Sequence, residues 1–245
     1  MILSELIQKS PIRILEQSIH GGLKAGEIGI VASPKGVGKT SVLVQLALDK
    51  LLQGKKVIHV SFARYTHAQH THARYTQHVI VWYEDIFEEF ICKKNLENAA
   101  EIKNNLVMNR VIMNFNQDGI TIEQVIKSLR AMIIEGGFRA DSIIIDGFDF
   151  SETDKENMDN IKNFATELGV SIWYSCSVED KEGQYDRENI PVVISGFISS
   201  IDVVVVLNPK SDHVELSISK DRDSIISKSM AMELDPKTLL ILEKE

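Results

Sequence analysis

The sequence contains few cysteines, and their positions exclude two kinds of site. Only two of the 245 residues are cysteines, Cys92 and Cys176, and they lie far apart in the chain. Such a pair supplies neither the close spacing of a metal site nor the framework of a disulfide-rich domain. A reducing compartment suits this cysteine usage, so we expect a cytoplasmic protein.

Long apolar runs and a basic leader are missing as well. No run approaches the roughly 18 apolar residues that a membrane-spanning helix needs. Residues 1–7 include an acid and lack a basic region. We therefore expect neither a signal peptide nor membrane insertion.

Basic residues are outnumbered by acidic residues. The chain has 27 Lys and Arg against 35 Asp and Glu, a formal net charge of −8. This balance argues against a surface devoted to nucleic acid or anionic lipid. Because 44% of the residues are hydrophobic and 25% are charged, the length suits one globular domain, which we expect to cover residues 1–245.

One segment carries most of the functional information. The apolar run 28–32 predicts a strand, Gly36 and Gly38 a turn, and the amphipathic run 42–48 a helix. Strand, glycine turn and helix start, in this order, are typical of a P-loop, which holds phosphate groups. The predicted phosphate-binding residues are Ser33, Pro34, Lys35, Gly36, Val37, Gly38, Lys39, Thr40 and Ser41.

The chemistry explains the residue types in this segment. The two glycines lack a Cβ atom, so their backbone N–H groups can approach phosphate oxygens. Lys39 would place its charge on the β- and γ-phosphates, and Thr40 would coordinate magnesium. Ser33 stands where the consensus has its first glycine. The alternative is a surface turn with a solvated lysine, which the flanking strand and helix disfavour.

Strands alternate with helices of ten to fifteen residues over most of the chain, as in βαβ units. The predicted fold is therefore α/β, with a mainly parallel twisted sheet flanked by helices, and the strand-rich end predicts an antiparallel extension. The predicted helices lie at about 40–53, 79–93, 96–107, 121–135 and 154–168, and the later strands at 56–61, 110–114, 142–146, 170–175, 202–207, 213–219, 230–234 and 238–243.

A second motif is the apolar strand 142–146, which ends in Asp146. A carboxylate at the carboxyl edge of a parallel sheet can hold magnesium, an arrangement called Walker B. We expect Thr40 and Asp146 to bind Mg²⁺ together with ATP. The alternative for Asp146 is the solvated cap of a core strand, and Asp149 is predicted to be a turn or cap residue.

These motifs give the chain a resemblance to a known family. The lead-in 10–32, the P-loop, the strand 54–62, the Walker B strand and the late segments 201–207 and 214–222 follow one another as in the RecA-like core. RecA and RadA recombinases, DnaB-type helicases and KaiC-type ATPases share this core. The sequence is most similar to the KaiC and DnaB branches, over about residues 10–243.

The resemblance implies an assembly and a further site. In that family a Lys-x-Arg on a late strand reaches into the nucleotide pocket of the neighbouring subunit, and Lys220 and Arg222 occupy the matching positions. Cations supplied across an interface would stabilise charge developing on the γ-phosphate. The resemblance therefore implies a homo-oligomer, a ring or filament, with nucleotide between subunits. A solvated strand end is the alternative.

Two positions depart from the family. Its catalytic glutamate follows the second strand, where this chain has Ala63, and its polar sensor corresponds to Ser177. Loss of a general base lowers the rate by about two to four orders of magnitude. We expect slow hydrolysis unless Asp149, Glu84 or Asp85 supplies the carboxylate.

Two further segments bear on nucleic-acid binding. Segment 63–78 repeats Ala-Arg-Tyr-Thr and holds four of the seven histidines, so it could be a solvated helix or loop, a nucleic-acid contact or a metal site. The loop 178–189 has five acids against two bases, which disfavours DNA binding.

The sequence thus leaves three functional hypotheses. The first is a slow magnesium-ATP-dependent ATPase that acts as an oligomeric regulatory or assembly switch with a possible protein partner. The second is a nucleotide-sensing scaffold without turnover. The third is a DNA or RNA motor or a recombinase-like ATPase, which the acidic loop makes less favoured.

Overall fold

The computed structural model describes residues 2–63, 72–94, 96–179 and 181–244. The helices are α1 (Leu3–Gln8), α2 (Ile12–Ser18), α3 (Lys39–Leu52), α4 (His72–Lys94), α5 (Ala99–Met108), α6 (Ile122–Arg130) and α7 (Lys155–Leu168). The strands are β1 (Ile28–Pro34), β2 (Val57–Ala63), β3 (Arg110–Asn116), β4 (Ser142–Asp146), β5 (Ser171–Val178), β6 (Val203–Pro209), β7 (Val214–Asp221), β8 (Ser224–Leu234) and β9 (Ile241–Glu243).

The described strands form one sheet in the order β3-β2-β4-β5-β1-β6-β7-β8-β9. Pairing is parallel from β3 to β6 and antiparallel from β6 to β9. The predicted α/β class, with a mostly parallel sheet and an antiparallel C-terminal extension, is therefore confirmed. All six parallel strands end at the same edge of the sheet, and the carboxyl edge of a parallel sheet is where α/β proteins bind ligands.

Helices cover both faces of the sheet, which explains why its central strands are apolar on both sides. One core lies between the sheet and α1 to α5, and it includes Val31 and Ile144. The other core lies beneath α6, α7 and a short 3-10 segment, Val192–Ser200, and it includes Ile30 and Ile145. Neighbouring residues of one strand thus belong to different cores.

The helix ends follow local sequence signals. Thr121 and Gln124 form a capping box at the start of α6, and the Asp154 carboxylate accepts from the Asn157 N–H at 2.8 Å at the start of α7. Gly169 ends α7 in the left-handed conformation. The helix predicted at 121–135 is one element in the sequence but two in the structure, because α6 passes into a π-helical turn, Ala131–Glu135.

The two ends of the chain hold structure that the sequence patterns miss. Helices α1 and α2 precede β1, and β8 begins six residues before its predicted start. An ion-pair network anchors α2 to α3: Arg13 pairs with Asp49, and Lys50 lies 3.0 Å from Glu16. Among the helices of the described ranges, none is both long and apolar enough to cross a membrane.

A buried histidine lies in the middle of β2. His59 is fully buried, and its Nδ1 lies 3.1 Å from the Tyr83 hydroxyl. The Arg110 guanidinium sits over the Tyr83 ring, 4.1 Å from its centroid. Burial, with a smaller contribution from the Arg110 charge, lowers the pKa of His59 to about 4. The imidazole is therefore neutral at physiological pH.

This burial predicts an acid-sensitive fold. Between pH 6.5 and 4 the unfolded chain binds a proton at position 59 that the folded chain excludes, so the free energy of unfolding falls as the pH falls. The slope contributed by His59 is at most about 1.4 kcal/mol per pH unit. Urea unfolding at several pH values should show this loss in the wild type and a flatter profile in His59→Gln. Identical profiles would contradict the prediction.

Candidate nucleotide-binding site

The glycine loop lies at the carboxyl edge of the sheet, between β1 and α3. Gly36 and Gly38 have φ of +80° and +117°, a region in which side chains are strained. Gly38 is also the N-cap of α3, and a Cβ atom there would collide with the Leu234 side chain of β8. Both positions therefore favour glycine, and the loop leads directly into the amino end of α3, where the first N–H groups of a helix lack partners within the helix.

Ser33 fits the place of the missing consensus glycine. It lies within β1 rather than in the turn, and its φ is outside the left-handed region. The residue is fully buried, and its hydroxyl donates to the Pro34 carbonyl oxygen at 3.0 Å. The serine thus adds no backbone strain.

Lys39 turns back onto the loop that precedes it. Its Nζ donates to the carbonyl oxygens of Ser33 and Pro34 at 2.9 and 2.8 Å and to the Ser33 hydroxyl at 3.2 Å. The side chain is 8% exposed, and burial lowers its pKa to about 8. Its three acceptors within the described residues are neutral, and a buried ammonium of this kind is a suitable partner for an incoming anion.

Thr40 and Asp146 meet although 106 positions separate them. The Thr40 hydroxyl donates to the Asp146 carboxylate at 2.8 Å. Magnesium is commonly held by one or two such oxygen groups and completed by water and phosphate. Among the described residues, no three or more His, Cys, Asp or Glu form a metal cluster of their own. The Thr40–Asp146 pair supplies two oxygen groups of the kind that magnesium prefers.

Strand β5 places two residues beside the P-loop. Ser177, the predicted sensor, is in register with Ser33 and is exposed at the edge of the sheet. Cys176 is buried on the other face, and burial raises the pKa of its thiol to about 12. The thiol stays protonated and unreactive.

The three carboxylates that could replace the missing catalytic glutamate, Asp149, Glu84 and Asp85, lie in different parts of the fold. Asp149 caps the short 3-10 turn Phe150–Glu152, accepting from the Ser151 N–H at 3.0 Å. Glu84 lies 3.2 Å from Lys103 on α5. Asp85 lines a cleft between α4 and the turn that joins β8 to β9. Asp149 is thus a cap residue, as the sequence predicts.

Lys220 lies away from the P-loop. Its Nζ donates to the main-chain oxygens of Ile198 and Ile201, and the residue is 8% exposed. Burial lowers its pKa. Within its own chain this lysine joins β7 to the 3-10 segment before β6.

Arg222 binds the segment that leads into β1. It forms a two-pronged pair with Glu27 at 2.9 Å, donates to the carbonyl oxygens of Ile19 and Gly22, and pairs with buried Asp221. Glu27 lies just before β1, and the P-loop lies just after β1. The length of this strand therefore places Lys220 and Arg222 roughly 20 Å from the P-loop of the same chain. Their action on a neighbouring subunit stays a prediction.

The two segments considered for nucleic acid are only partly described. Positions 64–71 of segment 63–78 lie outside the described residues, as does position 180 of the loop 178–189. Thr76 accepts a hydrogen bond from Asn114, and His78 lies edge to face with Trp82. In the loop, Lys181 pairs with Glu179 at 2.8 Å.

Sequence reasoning missed the contacts between the P-loop helix and the end of the chain. The Leu239 carbonyl oxygen accepts from the Ser41 hydroxyl and from the Gln45 amide, and the Gln45 oxygen accepts from the Ile241 N–H at 2.8 Å. It also missed Gly147, where a Cβ atom would lie 2.6 Å from the Phe62 carbonyl oxygen. The only local signal for the latter was a glycine directly after Asp146.

Comparison with known proteins adds no relative. No protein-family model matches the chain, and no curated protein matches it.

The contacts of Arg222 predict a structural role that can be measured. Arg222→Ala removes the ion pairs with Glu27 and with the buried Asp221 carboxylate, which keeps its contact with His20, and should lower the free energy of unfolding by about 2 kcal/mol. Arg187→Ala, in the exposed loop after β5, is the control and should change little. Urea unfolding measures both. Wild-type stability in Arg222→Ala with loss of phosphate release would favour the trans role instead.

Proposed function

We propose that this chain is a RecA-like P-loop ATPase of the KaiC-like branch, which binds magnesium-ATP and hydrolyses it slowly as a regulatory or assembly switch. The observation that carries the proposal is the hydrogen bond between Thr40 and Asp146. It joins the two predicted motifs at the amino end of α3. A phosphate-holding loop and a magnesium-holding carboxylate have to share such a place.

The local charge supports an anionic ligand. Lys39 and the amino end of α3 face the loop, and Lys35 is exposed beside them in a chain whose net charge is −8. Lys39 exchanges neutral carbonyl acceptors for charged phosphate oxygens when a nucleotide binds. Bound magnesium would neutralise phosphate charge, and Thr40 and Asp146 would hold it.

Slow turnover follows from Ala63, the last residue of β2, which stands where the RecA-like family has its glutamate. Of the substitutes, Glu84 is paired with Lys103, Asp149 caps a turn, and Asp85 lies on α4 facing residues 237–239. A water molecule near the γ-phosphate is then oriented by solvent and the metal shell alone. The same observation favours a second candidate, a scaffold that senses nucleotide without hydrolysing it.

The assembly is part of the proposal. The resemblance to RecA-like proteins implies a cytoplasmic ring or filament with nucleotide between subunits, completed by Lys220 or Arg222 of a neighbour. A DNA or RNA motor is less favoured, because the exposed loop after β5 carries several acids.

Removal of the P-loop cation tests the binding site. Lys39→Ala should weaken magnesium-ATP binding at least a hundredfold in calorimetric titration, because it deletes the charge on the β- and γ-phosphates. Lys35→Ala, an exposed lysine of the same loop, should have a smaller effect. Unchanged affinity in Lys39→Ala would refute the P-loop.

A proton readout checks the same lysine without mutation. Because burial holds the pKa of Lys39 at about 8 and bound phosphate raises it, nucleotide binding at pH 8 should take up about half a proton per site. Titration in buffers of different ionisation enthalpy measures this uptake. No uptake at pH 8 would contradict a role for Lys39.

Turnover and assembly are tested together. Phosphate release should be far below the roughly 10 per second of a median enzyme, and magnesium-ATP should increase the size of the protein in solution. Asp146→Asn should abolish the magnesium dependence of phosphate release and of the increase in size. No detectable release with tight ATP binding would favour the sensing scaffold, and stimulation by single-stranded DNA would favour the motor.

A further inference from the structure

A row of polar side chains crosses the sheet at its carboxyl edge, beside the Thr40–Asp146 pair. Ser61 of β2 is in register with Asp146 on one side and with Asn114 of β3 on the other. Because neighbouring strands lie about 4.8 Å apart, Ser61 stands between the carboxylate and the amide. These three residues are called the polar row below.

The polar row lies on one face of the sheet. The Asp146 carboxylate meets α3 through Thr40, and the Asn114 amide donates to the Thr76 hydroxyl of α4. The residues on either side of Ser61 in β2 belong to the core beneath α6 and α7. Since successive residues of a strand face opposite sides, Ser61 faces α3 and α4 as well. The row therefore extends from the amino end of α3 to α4.

The Asn114 amide is only half satisfied. Its Nδ2 donates to Thr76, but its Oδ1 is buried and accepts no hydrogen bond within the described residues. A buried acceptor without a donor costs about 1–3 kcal/mol. His59, two residues before Ser61 in β2, does not supply the donor, because its Nε2 is also buried without a partner. The residue in register with Asn114 is Ser61, whose hydroxyl can both donate and accept.

A cation held at Asp146 would give the row one direction. Magnesium keeps several waters in its shell, and these waters donate their protons away from the ion. A serine hydroxyl can accept such a bond and donate the next one, and an amide accepts at its oxygen and donates at its nitrogen. The bond from Asn114 to Thr76 already points away from Asp146. Hydrogen bonds aligned in one direction strengthen one another.

We propose that Ser61 and Asn114 are positioning residues for the water shell of magnesium. The Ser61 hydroxyl accepts from a water of this shell and donates to Asn114 Oδ1, and the Asn114 amide fastens the row to α4. The inference rests on the proposed function, in which magnesium binds at Thr40 and Asp146 with the nucleotide. It adds to the site two residues that neither the P-loop nor the Walker B motif contains.

Calorimetric titration of ADP with and without Mg²⁺ tests the row and requires no turnover. The ratio of the two affinities is the gain that the metal brings. Ser61→Ala should reduce this gain about tenfold, because loss of an outer-shell partner lowers metal affinity roughly 10- to 100-fold. The affinity for ADP without magnesium should stay at the wild-type value. Ser61→Thr, which keeps the hydroxyl, should retain the gain, and so should the control Ser227→Ala, at an exposed position of β8.

A double mutant tests whether the two residues act in series. Asn114→Ala should reduce the gain as Ser61→Ala does, and the double mutant should lose no more than either single mutant. Urea unfolding checks that each variant is folded. Should Asn114→Ala fail to fold, Ser61→Ala and Ser61→Thr still decide, because Ser61 is half-buried and the substitution to Ala removes one hydroxyl. Additive losses in the double mutant, or the full gain in Ser61→Ala, would overturn the proposal.

Failure of the proposed function has a different signature. If the wild type binds ADP neither with nor without magnesium, the P-loop proposal falls. If Lys39→Ala weakens ADP binding while magnesium brings the same gain to the wild type and to Ser61→Ala, only the polar row is refuted. If magnesium brings no gain to the wild type, the row and the magnesium site are refuted together.

Discussion

The burial of α3 is the constraint on which the rest of the structure depends. Every residue of this helix except Thr40 and Lys50 is buried. A helix enclosed in this way needs cover on all sides: the sheet lies beneath it, α4 and α5 pack beside it, and α2 and the β8–β9 turn close the remainder. Its amino end therefore has one position relative to Asp146. A phosphate site needs such a fixed end, because the N–H groups of a mobile helix would lose their common direction.

The parallel part of the fold, with the strand, glycine turn and helix start at residues 28–52, could be predicted because the signals are local. Apolar strands, Gly36, Gly38 and the end of β4 at Asp146 are all readable within a few residues. The run 42–48 is predicted to be amphipathic, and in the structure the polar residues Ser41, Gln45 and Asp49 form a stripe along α3. That stripe is buried, and its partners are a carbonyl oxygen near position 240 and the guanidinium of Arg13. No window of the sequence contains both halves of these contacts.

The Lys-x-Arg motif shows a different limit. The spacing of Lys220 and Arg222 is local, but the acceptors that these cations meet belong to distant segments. In the folded chain the guanidinium spans Ile19, Gly22 and Glu27, and the ammonium meets two main-chain oxygens. A role in a neighbouring subunit would require these contacts to be compatible with, or exchanged for, contacts to a phosphate. The same pattern of residues can thus stabilise one chain or link two.

The contacts between Gln45 and the residues near position 240 also determine when the site forms during synthesis. These partners are separated by 194 and 196 positions, so the polar stripe of α3 stays without them until residues 239–241 have left the ribosome. Contacts of such high sequence separation form late and slowly. A nascent chain that ends after β5 already contains the P-loop and Asp146, yet it lacks the turn that covers the first turn of α3. The first turn of α3 is therefore covered at a late step of folding, when the C-terminal extension closes over the helix.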